Sequence, residues 1–475
     1  MNKARNKTVV DAISVLMNPR SVAVVGASRD PDSVGHGILL SLLKGCVRAN
    51  GACKPFSGRV YAVNPNADEI LGLKCFPTLQ AVPEPIDVAV IAVPAKIVPN
   101  VMRSCAVKKI RVAVIISAGF AELGAESQGA RLQEEVIQTA RRNSIRVLGP
   151  NALGVLRPPI GLNASFAPSA PPAGGIAFVT QSGALADSEI DVALREKHAF
   201  SAIVSLGNQG DLDASDFLEW LARDAETKSI AVYLEGLRAG EGRRFLRAAR
   251  YAAKRKPVVV LKGGRSLEGA RAVSSHTAVL AGSPKVFDSV LAQAGCIRAE
   301  GFEDLFDLAN ALAVQPRARK NAVVVVTNGG GAGVLCADYA REFGLNLVPL
   351  QSETIAKIEA GGRMHSAWSR SNPVDIVGDA LPERYASAIN AVLEEDYVHG
   401  LIVLQTLQTM TRPEEDARVV VEAHARFPEK PVVCAFLGGR FSRKSVELLR
   451  ENGIPDFNDP RKAVRAMAAL CGALK

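Results

Sequence analysis

Aromatic side chains are scarce in this sequence, at 5% of 475 residues, with two tryptophans and six tyrosines. A chain so poor in rings builds its interior from small aliphatic residues, and Ala, Val and Gly are abundant. That mix favours α/β layers in which small residues let helices sit close to strands. Long apolar runs are missing too. No stretch approaches the roughly 18 apolar residues needed to cross a bilayer. The opening MNKARNKTVVDAISVLMNP has neither the apolar centre nor the cleavage site of a signal peptide. No membrane partner is expected, and a cytoplasmic location is. The eight cysteines (Cys46, Cys53, Cys75, Cys105, Cys296, Cys336, Cys434, Cys471) form no CxxC pair. Metal ligation needs clustering, so they read as buried reduced thiols and no metal site is expected. No GxxxxGK[ST] phosphate loop occurs either.

What is present points to a sizeable globular chain. Its length exceeds one core and implies two to four domains. Hydrophobic residues make up 48% and charged residues 22%, an ordinary balance. The net charge of +9 would suit nucleic acid, but the basic residues are dispersed and not interleaved with aromatics. No nucleic-acid partner is expected. A small polyanionic ligand would be attracted equally well.

Short β-branched runs recur, each followed by a Gly-rich turn and a helical stretch. The first series is SVAVVG (21–26), VYAV (60–63), VAVIAV (88–93), VAVII (112–116) and RVL (146–148). Continuous apolar strands alternating with helices predict a parallel sheet covered on both faces, a Rossmann-like unit over 1–145. The second series, 176–179, 202–204, 230–234 and 258–261, predicts a flavodoxin-like domain over 146–316. After the polar joint QPRARKN (315–321), strands at 323–326, 345–348, 401–404 and 432–436 predict a second flavodoxin-like domain over 317–475. The last two domains look like a weak repeat. TQSGALA in one corresponds to TNGGGAGVL in the other, and LKGGR to FLGGR.

The turn after the first strand is Gly26-Ala27-Ser28, and its spacing is not GxGxxG. The second strand ends in Asn64-Pro65, where a dinucleotide fold places the acid that holds the ribose. An NAD(P)-dependent oxidoreductase is therefore the weaker reading, and a different nucleotide-like ligand fits better. Val93-Pro94, Ser117-Ala118 and Asn151 close further strand ends, and such ends gather at the carboxyl edge of a parallel sheet. Read as turns alone, they would bind nothing.

Of six histidines, His198, His399 and His424 read as surface residues, while His36 sits in the first Gly-rich turn and His365 in a loop. His276 differs, because it ends a loop of small residues (263–275) suited to a side chain that must move. Gln181-Ser182-Gly183 opens a helix after a buried strand, where free N–H groups and the helix dipole favour an anion. Glu235 ends a neighbouring strand and would orient an imidazole. Together these residues suit a phosphohistidine site.

With VGAS, GPNALGV, TQSGALA, YLEGL and SSHTAVLAG in this order, the sequence resembles the NDP-forming acyl-CoA synthetase superfamily, which includes succinyl-CoA synthetase. Its layout resembles the α subunit of ADP-forming acetyl-CoA synthetases over nearly the whole chain. The resemblance implies an acid–thiol ligase with coenzyme A as a substrate. Gly26, Ala27, Ser28, Asn64, Pro65, Ser117 and Ala118 are implied to lie near CoA, flanked by Val93 and Pro94. His276 is implied to be the phosphorylated residue and Glu235 its orienting carboxylate. Gln181, Ser182 and Gly183 are implied to hold the phosphoryl group, and Asn151 and Asn208 to border the acyl pocket. The other substrates would be phosphate and a small carboxylic acid. ADP or ATP, with Mg, would sit on a separate ATP-grasp β subunit in an α2β2 assembly. A non-catalytic CoA-binding or regulatory protein is the alternative within the same fold.

Overall fold

The computed structural model describes residues 2–276 and 283–474, with side chains from 9 to 273 and from 283 onward. The chain forms two compact units, Met1–Ala299 and Glu300–Lys475. The first unit contains two seven-stranded sheets and the second a four-stranded one.

The first sheet comprises β1 (Ser21–Val25), β2 (Arg59–Val63), β3 (Glu69–Ile70), β4 (Leu73–Phe76), β5 (Val88–Ile91), β6 (Val112–Ile115) and β7 (Arg146–Leu148). Its order is β3-β4-β2-β1-β5-β6-β7, parallel except for the β3–β4 hairpin. Every residue of β1, β5 and β6 is buried, as expected for strands covered on both faces. Each buried Val or Ile contributes roughly 1.5–3 kcal/mol to the folded state. The expected strands are all here.

The second sheet holds β8 (Gly154–Arg157), β9 (Leu162–Ser165), β10 (Ala173–Thr180), β11 (Phe200–Ser205), β12 (Ser229–Leu234), β13 (Val258–Lys262) and β14 (Ile297–Arg298). Its order is β14-β13-β12-β10-β11-β8-β9. β10 to β14 pair in parallel, while the hairpin β8–β9 joins antiparallel to β11. That hairpin is absent from the sequence expectation. Its strands have four residues each, with Pro158-Pro159 close behind the first, and Arg157 ends an otherwise apolar run. Arg157 is nonetheless buried, because its guanidinium forks onto Asp224 at 2.7 and 2.8 Å and lies over the Trp220 ring.

The second unit holds β15 (Val323–Thr327), β16 (Val374–Asp375), β17 (Gly400–Thr406) and β18 (Val432–Leu437), ordered β16-β15-β17-β18 and parallel throughout. The strand expected at 345–348 is reduced to a single bridge, Leu347 to Val323. The polar joint expected at 315–321 is not a free linker. Gln315 is buried, accepts from the Val432 N–H at 2.8 Å and donates to the Gly453 carbonyl at 2.7 Å. Ahead of it, helix Phe302–Val314 is pinned by Arg465 to Asp304 at 2.7 Å.

The repeat extends to individual hydrogen bonds. In the first unit the Ser182 N–H donates to Thr180 Oγ1 at 3.0 Å, and that hydroxyl donates to the Ser182 carbonyl at 3.0 Å. In the second unit Gly329 and Thr327 repeat both bonds, at 3.0 and 3.1 Å. Residues between them also match. Gln181 clamps the end of β12, and Asn328 clamps the end of β17 through the Thr406 carbonyl and N–H at 2.9 and 2.7 Å.

Two side-chain expectations are corrected. Cys46 and Cys53 are joined as a disulfide with Cα atoms 5.7 Å apart, because Asn50 folds the intervening chain back by accepting the Ala52 N–H at 2.7 Å. His198 is buried, its Nδ1 2.8 Å from buried Glu189, and His424 is half-buried beside Gln315, so neither is a surface histidine.

Candidate functional site

Gly26 follows β1 with φ +94°, a conformation that favours glycine. A Cβ there would stand 2.3 Å from the Ala92 carbonyl oxygen and 2.8 Å from Val93. The absence of a side chain thus lets the first turn close onto the end of β5. Asn64 secures the same turn, donating from Nδ2 to the Ala27 carbonyl at 2.7 Å and accepting the Asn66 N–H at 2.8 Å. The end of β2 therefore presents a committed amide where a dinucleotide fold needs a carboxylate. Ser28 accepts from the Asp30 N–H through its hydroxyl, and its carbonyl meets His36 Nδ1 at 3.0 Å. Pro65 is exposed.

Two strands along the edge, Ser117 donates from its hydroxyl to the Val93 carbonyl at 2.5 Å, tying the ends of β5 and β6. The Asn151 N–H returns to the Ser117 carbonyl at 3.0 Å, and Asn151 takes a left-handed φ of +57°, which Asn tolerates better than most residues. Its Nδ2 lies 3.4 Å from Asn208 Oδ1. Asn208 itself is turned to Glu122 and Gln133, at 2.5 and 3.0 Å. Burial works against the Glu122 charge, but bonds from Asn208, Phe120 and Gly119 hold its carboxyl below the usual range.

Helix Gly183–Glu196 starts at the end of β10, with Ser182 as its N-cap accepting the Leu185 N–H at 3.3 Å. Gln181 is not an anion donor. Its N–H goes to the Tyr233 carbonyl, Nε2 goes to the Gly236 carbonyl at 3.0 Å, and Oε1 takes the N–H groups of Glu235 and Gly236. The Ser182 N–H is spent on Thr180. The N–H groups left to an anion are those of Gly183 and Ala184, the first two helical residues. Ala184 was not singled out in the sequence, although counting from the cap would have found it.

Glu235 ends β12 as expected and is buried. Buried Lys262, at the end of β13, donates to the Glu235 carbonyl at 2.8 Å and to the Gly263 carbonyl. Burial and the Arg265 charge lower the Lys262 pKa, against the opposing pull of Glu235. Burial, then the charge and hydrogen bond of Glu235, push the Tyr233 phenol up to about 12. Sequence reading missed both partners. The Lys-Gly-Gly-Arg run was visible, but which strand it would adjoin was not.

The expected loop before His276 is a helix, Leu267–His276. Its Ala-containing sequence favours helix, and Ser266 accepts the Gly269 N–H at 2.9 Å at its start. The His276 side chain, like residues 277–282, lies outside the described residues.

One cavity of about 620 Å³ in the first unit brings many of these residues together. Val93, Pro94, Ser117, Ala118 and Asn151 line it along with Gln181, Ser182 and Gly183. Ala152, Leu153 and Phe166 complete an apolar wall, and Ala184 and Asp187 extend the helix side. Gly26, Ala27, Ser28, Asn64, Pro65, Asn208 and Glu235 are not among its lining residues. Of these, Gly26 and Asn64 shape the adjoining turn, and Glu235 is reached through the Gln181 clamp.

An open parallel sheet whose carboxyl edge shares a cavity with a helix start is the setting in which such α/β folds take their ligands. The chain matches the family models for a CoA binding domain over residues 20–158, a succinyl-CoA ligase like flavodoxin domain over 173–312 and a ligase-CoA domain over 323–473. It is 39% identical over 464 residues to the ADP-forming acetate–CoA ligase I subunit alpha of Pyrococcus furiosus, covering 97% of both chains. It is 41% identical over 455 residues to the ADP-forming acetate–CoA ligase I of Archaeoglobus fulgidus, covering 96% of this chain and 63% of that relative's length. Among solved structures, acetyl-coenzyme A synthetase 1 of Candidatus Korarchaeum cryptofilum, in complex with phosphate and ADP, superposes with a TM-score of 0.90 at 38% identity. That match covers 97% of this chain and 96% of the other. The chain belongs to the ADP-forming acyl-CoA ligase family.

Proposed function

We propose that the chain is the CoA-binding, phosphohistidine-carrying subunit of an ADP-forming acyl-CoA ligase, acting reversibly on a small acyl-CoA, with acetyl-CoA favoured by the similarity to acetate–CoA ligases. The observation that carries the reading is the single cavity in which Val93, Pro94, Ser117 and Ala118 meet the start of helix Gly183–Glu196. Phosphate held by the Gly183 and Ala184 N–H groups attacks the thioester carbonyl. The C–S bond breaks, a C–O bond forms and the sulfur takes a proton, leaving acyl phosphate and CoA. His276 then displaces the carboxylate from phosphorus, forming a P–N bond, and Glu235 orients the imidazole. ADP on a separate ATP-grasp subunit, with Mg, accepts the phosphoryl group to give ATP. Because phosphoryl transfer relies on positioning and charge stabilisation, the Gln181 and Lys262 clamps on the Glu235 turn matter as much as the reacting groups. An α2β2 assembly in the cytoplasm and the domain division 1–145, 146–316 and 317–475 belong to the same proposal.

The test is to incubate the purified chain with acetyl-CoA and labelled phosphate and to follow acid-labile, base-stable label. Label on wild type that is absent from His276→Ala is the expected result. An unlabelled wild type that still binds CoA would favour the non-catalytic alternative.

A further inference from the structure

Among the described residues lining the cavity, Asp187 is the one acidic side chain. Its Oδ1 is buried and has no hydrogen-bond partner among the described residues, while the side chain as a whole borders the cavity. Buried carboxylate oxygens are almost always satisfied, and leaving one unmet costs free energy unless a ligand supplies the donor. Burial alone accounts for a carboxyl pushed up to about 6, with no cation beside it. The protein has therefore placed an unmatched carboxylate in a wall whose other side chains are apolar or uncharged, Leu153 and Phe166 beside Ser117, Asn151 and Ser182.

Its position on the helix decides what donor it can meet. Asp187 follows Gly183 by four residues and Ala184 by three, so it shares their helix face at a spacing of about 5–6 Å. On the reading proposed above, the attacking phosphate sits against those two N–H groups, with the reacting carbonyl in contact with it. A group about 5 Å further along the helix is reached by the third or fourth carbon of an acyl chain. The residues expected to hold the CoA arm, Val93, Pro94, Ser117 and Ala118, come instead from the first sheet.

We propose that Asp187 is a specificity-determining residue that accepts a hydrogen bond from a hydroxyl on the acyl chain, so that the substrate class includes short hydroxyacyl thioesters. The inference rests on the CoA-thioester reading of the cavity and names the chemistry of its acyl end.

The test is calorimetric titration of the full chain with 3-hydroxybutyryl-CoA, butyryl-CoA and free CoA, for wild type, Asp187→Asn and Asp187→Ala. Wild type should bind the hydroxyacyl thioester about tenfold more tightly than the plain one, in line with one hydrogen bond to a charged acceptor. Asp187→Ala should erase that ratio while free CoA binds unchanged, and Asp187→Asn, nearly isosteric, should reduce it. A wild-type ratio near one, or a ratio that survives both substitutions, overturns the inference while leaving the functional reading intact. Equal weakening of all three ligands by Asp187→Ala would place the donor on the CoA arm and overturn it likewise. Failure of wild type to bind any of the three sinks the functional reading itself.

Discussion

Gln181 and Gly236 hold each other through a pair of 3.0 Å hydrogen bonds, the Gly236 N–H to Oε1 and Nε2 to the Gly236 carbonyl. The same Oε1 takes the Glu235 N–H, so one buried amide fixes the whole turn that carries Glu235.

Replacing Gln181 by Ala leaves three buried main-chain groups without partners. Each unmet group costs about 1–3 kcal/mol. We expect Gln181→Ala to lower the unfolding midpoint and to slow labelling of the chain by phosphate more than tenfold, with CoA affinity kept within about twofold. Labelling at the wild-type rate would show that the turn needs no clamp.

Gly26→Ala tests the close approach of the first turn. Its φ of +94° costs an alanine about 1–3 kcal/mol before any contact is considered, and the new Cβ meets the Ala92 oxygen at 2.3 Å. The expected outcome is a lower melting temperature together with weakened CoA binding, whereas Gly51→Ala, where a Cβ meets nothing within 4 Å, should change neither.

How much of this was legible in the sequence depends on the length scale of each cause. β1, β5 and β6 were readable because continuous Val, Ala and Ile runs have one physical outcome in a covered sheet. The β8–β9 hairpin was not, since its burial of Arg157 depends on Asp224, 67 residues away. The Gln181 motif was correctly placed at a helix start, but its side chain is aimed by a strand 54 residues on. Asp187 was overlooked for the same reason, as an acid one turn into a helix reads as solvated until the cavity is seen.

The Arg157–Asp224 pair makes its own prediction. Side-chain exposure is 4% and 8%, so removing one partner strands a buried charge. Arg157→Ala should destabilise the first unit by about 3–5 kcal/mol in urea unfolding, while the double substitution Arg157→Met with Asp224→Leu should recover most of that loss. Additive losses in the double variant would contradict the account.

Asp416 in the second unit is fully buried, with Gln405 Nε2 at 2.5 Å from Oδ2 and, among the described residues, no partner for Oδ1. Burial raises its pKa from 3.8 to about 7, against the smaller opposing effect of the Gln405 bond. Between those values the folded chain keeps a proton that the unfolded chain has released. Stability from this group is therefore complete below pH 4 and fades as pH rises through 7. Melting temperature should fall between pH 5 and pH 8, and Asp416→Asn should flatten that fall. An unchanged slope would argue against a protonated Asp416.

The β8–β9 hairpin also bears on how a ligand enters. The chain runs from Asn151 through Leu153 in the cavity wall straight into β8, which is laced to β11 on one side and to β9 on the other. From β9, Asn163 reaches across to the Gly45 carbonyl at 3.0 Å, at the foot of the helix that follows β1. The two sheets of the first unit are thus riveted together beside the cavity. A clamshell motion between them would tear this seam, and exposed Val34 and Phe166 stand as the doorposts of the cavity.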